Sequence, residues 1–218
     1  MQTPEASRRP LKSRNTRWAA GLARELTRAG FKPNHISLLS IAFAAFAGLD
    51  FFLTAHDTKV WRIVLLADAA LCIQLRLLCN LLDGMVAIEG GLRTKTGEIY
   101  NEFPDRFADA FILIGAGCAS TWLSGSVVLG FAAALLAVMT AYIRTLGVVA
   151  GASQQFCGPM AKPQRMAAMT VASLLAIIEV LLNWPSRIIP FALAIICVGC
   201  AVTMLRRTER IFFELNAK

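Results

Sequence analysis

A pair of helices and the turn that joins them are predicted by residues 76–110, RLLCNLLDGMVAIEGGLRTKTGEIYNEFPDRFADA. Polar and small residues recur there at intervals of three or four, which places them on one stripe of each helix. The first stripe consists of Arg76, Asn80, Asp83 and Ala87, and the second of Gly97, Asn101, Asp105 and Asp109. Because the two helices are antiparallel and joined by the turn over 89–96, we expect the stripes to face each other.

The sequence around this pair is too apolar for a water-soluble domain. Hydrophobic residues make up 56% of the 218 residues, charged residues only 17%, and the mean hydropathy is +0.58. Soluble domains are usually about one quarter charged. Six apolar stretches are close to the length of roughly 20 residues that crosses a bilayer. They are 36–56, 61–83, 105–123, 126–149, 166–184 and 187–205. We therefore predict an all-α integral membrane protein with about six transmembrane helices.

The basic residues follow a membrane topology. They concentrate before the first span, at 8–32, and after the last, at 206–218, and the net charge is +8. An even number of spans places both termini on one side, and the excess of Lys and Arg makes that side cytoplasmic. A nucleic-acid-binding protein would instead carry a basic stripe with interleaved aromatic residues on a soluble fold. We therefore expect no nucleic-acid partner.

The chain divides into a cytoplasmic lead over 1–30, a membrane domain over 31–205 and a basic cytoplasmic tail over 206–218. No signal peptide is predicted, because the lead has no apolar core. Residues 16–30 have helical periodicity and predict an amphipathic helix. It either lies on the inner membrane surface or packs on the cytoplasmic ends of the spans. Gly30 ends this helix, and Asn34 or Ser37 is expected to cap the next one.

The ligands on the two stripes are all oxygen atoms, which suit a hard cation such as Mg²⁺ or Mn²⁺. Neither stripe contains a histidine or a cysteine, so zinc is not expected. A cation there would neutralise a diphosphate and polarise its phosphorus, while a nearby carboxylate takes a proton from an attacking hydroxyl. The stripes thus predict phosphoryl transfer.

The same stretch resembles the CDP-alcohol phosphatidyltransferase family, whose pattern is D-x2-D-G-x2-A-R-x8-G-x3-D-x3-D. The residues that match in register are Asp83, Gly84, Ala87, Gly97 and Asp105. Three positions depart from the pattern: Asn80 and Asn101 replace the first and third acidic residues, and Ile88 replaces the arginine. The chain is therefore similar to an altered branch of the family, with two negative charges fewer at the site.

The resemblance implies roles for particular residues. Asp105 would be the catalytic general base. The metal ligands would be Asn80, Asp83, Asn101 and Asp105, with Asp109 restoring one lost charge. The CDP moiety would lie near Asn34, Ser37, Gly84 and Ala87, with Arg93 or Arg76 in place of the missing arginine. The phosphate of the acceptor would meet Arg144, Lys162 and Arg165. Positive-inside topology also accounts for Lys162 and Arg165, and helix capping for Asn34 and Ser37.

The reaction that the resemblance implies transfers a substituted phosphate, a phosphatidyl group, from a CDP-activated lipid to an alcohol with release of CMP. The reaction would belong to phospholipid biosynthesis. The protein would lie among the lipids of a bacterial inner membrane, and relatives of this kind are commonly homodimers. The alcohol acceptor is not encoded in a readable motif. A small-molecule transporter and a catalytically silent scaffold are the alternatives, and the three departures favour the scaffold.

Other polar residues within the spans have no role in this interpretation. Asp50 and Asp68 fall in the outer halves of the first two spans. Six cysteines lie mostly in apolar segments, so no disulfides are expected. Cys197 and Cys200 form a C-x-x-C, but we interpret them as small buried apolar groups.

Overall fold

The structure, a computed structural model, describes residues 16–56, 58–89 and 97–217. Within these ranges it has seven helices and no strand, which confirms the predicted all-α class. The helices are α1 (Arg17–Arg28), α2 (Pro33–Thr54), α3 (Lys59–Glu89), α4 (Gly97–Cys118), α5 (Ser126–Val149), α6 (Lys162–Leu181) and α7 (Ile188–Asn216).

The chain is a multi-pass helical membrane protein. Five helices, α2, α3, α5, α6 and α7, are long and apolar enough to cross a membrane by length and composition. Helix α4 has 22 residues, as α2 does, but it carries Asp105, Arg106 and Asp109. Its outer face is apolar because Phe107 and Phe111 are exposed. We therefore interpret α4 as the sixth transmembrane helix.

The helix boundaries differ from the predicted spans at several places. Helix α5 has the predicted bounds, whereas α4 ends at Cys118 rather than at 123. Helix α6 ends at Leu181, and Asn183 follows it with a positive φ of 56°. Helix α7 continues to Asn216, so most of the predicted tail extends the last span as helix.

The six long helices form a closed ring. Each packs against two neighbours, in the order α3, α2, α4, α5, α7, α6 and back to α3. Helices α3 and α4 touch at few positions, so the two polar stripes do not pack directly as the sequence suggested. The helices alternate in direction along the chain, so the ring neighbours α2 and α4 run parallel to each other, as do α5 and α7. The start of α2, the end of α3, the first half of α4 and the start of α6 therefore lie at one end of the bundle.

Helix α1 packs on this end of the bundle. Ala19 and Ala23 are fully buried in a cluster with Leu82 and Val86 of α3, which confirms the amphipathic helix and favours its packing on the spans. Gly30 ends α1 with a φ of 80°, a conformation that glycine adopts without strain.

The predicted cap of α2 is wrong. The helix begins at Pro33 after Lys32, and no side chain caps it. Proline is favoured at the first helical position, where its missing N–H needs no partner. Asn34 and Ser37 therefore lie inside the helix.

Candidate active site

Asp83 is a buried carboxylate held by donors from two helices. The Ser37 hydroxyl donates to its Oδ2 at 2.8 Å, and the Gly84 N–H donates to its Oδ1 at 2.6 Å. Only 5% of the residue is exposed. Hydrogen bonds to the charged form of a carboxylate stabilise that form. Ser37 thus reaches Asp83 from the first turns of α2, and its place beside the CDP moiety stays a prediction.

Asn80 lies one turn before Asp83 and is oriented by a serine that the sequence did not single out. Its Nδ2 donates to Ser40 Oγ at 2.8 Å and to Arg76 O at 3.3 Å. These two bonds direct the amide oxygen toward Lys162 of α6, whose Nζ donates to Oδ1. Ser40 follows Ser37 by three residues, so both side chains lie on the same face of α2.

Asp105 of α4 lies between two cationic side chains. Its Oδ2 pairs with Lys162 Nζ at 2.5 Å, and its Oδ1 lies 3.4 Å from Arg76 Nη2. The residue is 7% exposed, and the Lys162 side chain is 26% exposed. The Lys162 ammonium of α6 therefore joins Asn80 of α3 to Asp105 of α4, although α3 and α4 have few direct contacts.

Asp109, which was predicted as a metal ligand, pairs with two arginines in the structure. Its Oδ1 pairs with Arg76 Nη2 at 2.9 Å and its Oδ2 with Arg165 Nη2 at 2.5 Å. Both carboxylate oxygens are thus bound by arginines, and the residue is 1% exposed. Asp109 is a buried counter-ion that joins α3, α4 and α6.

The three basic residues predicted for an acceptor phosphate are not brought together. Lys162 lies in the cluster, and Arg165 is buried beside Asp109, where its Nη1 also donates to Met160 O at 3.0 Å. Arg144 pairs instead with Glu102 at 2.5 Å and lies 5.5 Å from the centre of the Phe156 ring. Glu102 was not predicted from the sequence, although it follows Asn101 directly.

Other predicted site residues lie at the edge of the cluster or beyond what is described. Gly84 and Ala87 are half-buried on α3, and Asn34 is exposed on α2. Arg93 lies outside the described residues, and so does the side chain of Asn101, although its backbone belongs to α4.

A second acidic group lies nearer the opposite end of the bundle. Asp50, Asp68 and Cys72 each offer a ligand atom within 4.8 Å of the others. Asp50 is 8% exposed, and its Oδ2 has no hydrogen-bond partner among the residues described. All six cysteines are free, as predicted.

The fold occurs in a known enzyme. The phosphatidylinositol phosphate synthase of Mycobacterium tuberculosis with CDP-DAG bound matches this structure over 90% of this chain and 94% of its own, with a TM-score of 0.74 and 18% sequence identity. The chain has the fold of that synthase. No protein-family model matches the chain, and no curated protein matches it in sequence.

Two further structures of the synthase agree. Its complex with manganese and citrate has a TM-score of 0.73 and 18% identity, and covers 89% of this chain and 88% of the synthase. The match to the apo form has a TM-score of 0.71 and 18% identity, and covers 88% of this chain and 95% of the synthase. The resemblance seen in the motif is thereby confirmed at the level of the fold, whereas the branch with two asparagines stays a prediction.

Proposed function

We propose that this protein transfers a phosphatidyl group from a CDP-activated lipid to an alcohol hydroxyl and releases CMP. The observation that carries the proposal is the arrangement of Asn80 and Asp105 around one cationic group, with Asp83 on the next turn of α3. The synthase that shares the fold binds CDP-DAG. Phosphoryl transfer requires such a cluster, because charge on the phosphate oxygens must be neutralised while the hydroxyl attacks.

The residues of the cluster fit a divalent cation such as Mg²⁺ or Mn²⁺. Asn80, Asp83 and Asp105 offer oxygen atoms alone, which is the donor set that these ions prefer. Two of those oxygens already bind a cation in the structure, the ammonium of Lys162. Asn80, Asp83 and Asp105 would therefore hold the ion, which would neutralise the diphosphate and polarise its phosphorus.

In this proposal Asp105 accepts the proton of the acceptor hydroxyl. The hydroxyl oxygen forms a bond to the phosphorus that bears the lipid, the bond from that phosphorus to the CMP oxygen breaks, and CMP leaves. Asp105 is suited to the role because it is buried and shares the Lys162 ammonium with Asn80. Lys162 must leave Asp105 before the carboxylate can act as a base, and the anionic phosphate of a substrate is a suitable new partner for its ammonium.

Asp83 has a supporting role in the proposed reaction. Ser37 and the Gly84 N–H fix its carboxylate, so that its position does not depend on the substrate. Pre-organised charge is more effective than charge that must reorganise during the reaction. Arg165 is bound to Asp109 and buried, so we assign it to the scaffold of the site rather than to the acceptor.

We also propose that the protein acts as a homodimer in a bacterial inner membrane with both termini in the cytoplasm. The concentration of basic residues before α2 and at the end of α7 supports this orientation. The site would then open to the cytoplasm, where water-soluble alcohols and CMP are exchanged.

The test is an assay of purified protein with labelled CDP-diacylglycerol, a panel of acceptor alcohols and either Mg²⁺ or Mn²⁺. We expect CMP release that depends on the acceptor and on the cation, and a lipid product that mass spectrometry identifies. Asp105→Asn is the matched inactive control. A folded protein that releases no CMP with any acceptor or cation would overturn the proposal and favour the silent scaffold.

A further inference from the structure

We infer that the Lys162 ammonium is a built-in cation of this site, which competes with a divalent ion for Asn80 and Asp105. The inference rests on the proposed function and concerns how the altered motif is compensated. Lysine ammonium and a divalent metal ion both bind oxygen ligands, and two positive groups do not share one set of ligands without repulsion.

The contacts of Lys162 are those of a bound cation. Its Nζ donates to Asn80 Oδ1 and Asp105 Oδ2, which come from α3 and α4. Lys162 is the first residue of α6, so the helix start holds the side chain at the site end of the bundle. Ser40 fixes the amide of Asn80 with its oxygen toward this ammonium. The asparagine is therefore oriented as an acceptor for Lys162.

The charges of the cluster also balance without an added ion. The three carboxylates of the described cluster are Asp83, Asp105 and Asp109, and the three cationic side chains are Arg76, Lys162 and Arg165. Asp105 and Asp109 pair with these cations, whereas Asp83 is bound by the Ser37 hydroxyl and the Gly84 N–H. Asn80 and Asn101 contribute no charge by their chemistry. A divalent ion that enters this cluster must therefore displace the Lys162 ammonium from its ligands or share them with it.

Lys162 also bears on the asparagine at position 80. An aspartate there would add a negative charge that favours a divalent ion over the ammonium. With asparagine, the single charge of the ammonium competes more effectively for the shared ligands. We expect the chain to bind fewer divalent ions, or to bind them more weakly, than it would without Lys162.

The experiment measures Mn²⁺ binding directly, by electron paramagnetic resonance of the free ion in titrations of purified protein. All variants carry Asp68→Asn, which removes the second acidic group as a competing Mn²⁺ site. Lys162→Gln should bind Mn²⁺ about ten- to hundredfold more tightly, the usual range for coupling between two bound groups. Lys162→Arg keeps the charge and should bind as weakly as the parent.

A matched control and a double substitution make the result specific. Lys59→Gln removes the same charge at the opposite end of the bundle, where Lys59 donates to Leu181 O at 3.0 Å, and should leave Mn²⁺ affinity unchanged. Asn80→Asp should strengthen Mn²⁺ binding only a little while Lys162 is present, and much more together with Lys162→Gln. Circular dichroism and thermal unfolding establish that each variant is folded.

Equal or weaker Mn²⁺ binding by folded Lys162→Gln would overturn the inference, and so would an effect of Asn80→Asp that is independent of Lys162. CMP release, measured on the same samples, separates the two proposals. The expected Mn²⁺ pattern without CMP release counts against the proposed function alone. CMP release with an unchanged Mn²⁺ affinity in Lys162→Gln counts against this inference alone.

Discussion

Asp109 connects α3, α4 and α6 through ion pairs, and its substitution should mainly lower the stability of the fold. Asp109→Asn leaves Arg76 and Arg165 buried with one neutral partner between them. Breaking a buried ion pair on one side typically costs about 3–5 kcal/mol. We expect a large decrease in the temperature of thermal unfolding in detergent. An unchanged unfolding temperature would show that Asp109 is not a structural counter-ion.

Asp105 and Asp83 should respond differently to the same substitution. Asp105→Asn removes the proposed base, so turnover should fall by about 10²- to 10⁴-fold while binding of the CDP-lipid is largely kept. Asp83→Asn removes a fixed negative charge, so cation-dependent binding of the CDP-lipid should weaken. Steady-state CMP release and equilibrium binding of a CDP-lipid analogue separate the two effects. Near-normal turnover of Asp105→Asn would place the base elsewhere.

The sequence predicted which polar residues belong to the candidate site but not which of them pair. Asn80, Asp83, Asp105 and Asp109 were predicted from their helical spacing. Their partners lie far away along the chain: Lys162 reaches Asn80 from another helix, and Ser40 orients the amide. Such pairs depend on which helices are neighbours in space, and the spacing of residues within one helix carries no information about that.

The contact between α2 and α4 depends on two glycines that face each other. A Cβ on Gly115 would lie 2.2 Å from the carbonyl oxygen of Gly48 and 2.6 Å from its Cα. Small residues allow helices in membranes to approach closely. The glycine contact fixes α2 against α4, whereas Ser37 and Ser40 of α2 bond to Asp83 and Asn80 of α3.

Gly115→Ala should therefore destabilise the bundle. The added methyl group meets backbone that cannot move independently, and overpacking of this kind typically costs about 1–3 kcal/mol. Gly21→Ala is the control, because a Cβ there has no neighbour within 4 Å and alanine is favoured in helices. Thermal unfolding of the two variants makes the comparison. Equal stability of Gly115→Ala and the parent would mean that α2 and α4 lie further apart.

The order of the helices around the ring was the part of the fold that the sequence did not reveal. The turn over 89–96 suggested that α3 and α4 pack face to face. In the structure α2 packs against both of them, and Lys162 of α6 connects their polar stripes. Helix lengths and apolar stretches follow from local composition, whereas the choice of neighbours depends on small residues such as Gly48 and Gly115 in distant segments.

At the scale of the whole molecule, polar residues mark both ends of the bundle. The proposed site lies at one end. At the other, Arg62 Nη2 donates to Ser186 Oγ at 2.7 Å, and Ser120 Oγ donates to Ser186 O at 2.6 Å. Arg187 adds a contact over the ring of Trp122, with 4.8 Å to its centroid. Aromatic residues with polar neighbours are typical of the membrane interface.

This arrangement predicts the membrane topology, with the site end in the cytoplasm. Single cysteines are placed in a variant whose native cysteines are replaced, and intact cells are treated with a membrane-impermeant thiol reagent. Ser124→Cys and Asn183→Cys lie at the far end and should react in intact cells. Lys95→Cys and Asn216→Cys should react only after the membrane is opened, because six crossings and the distribution of Lys and Arg place both positions inside.

The same labelling experiment decides whether the charged helix α4 crosses the membrane. Asp105 and Asp109 are costly in a bilayer unless they are paired, and the structure pairs both with cationic side chains inside the ring. We therefore expect residues 95 and 124, on either side of α4, to be labelled from opposite sides. Labelling of both from one side would leave five crossings, place the two termini on opposite sides, and separate the motif residues of α4 from those of α3.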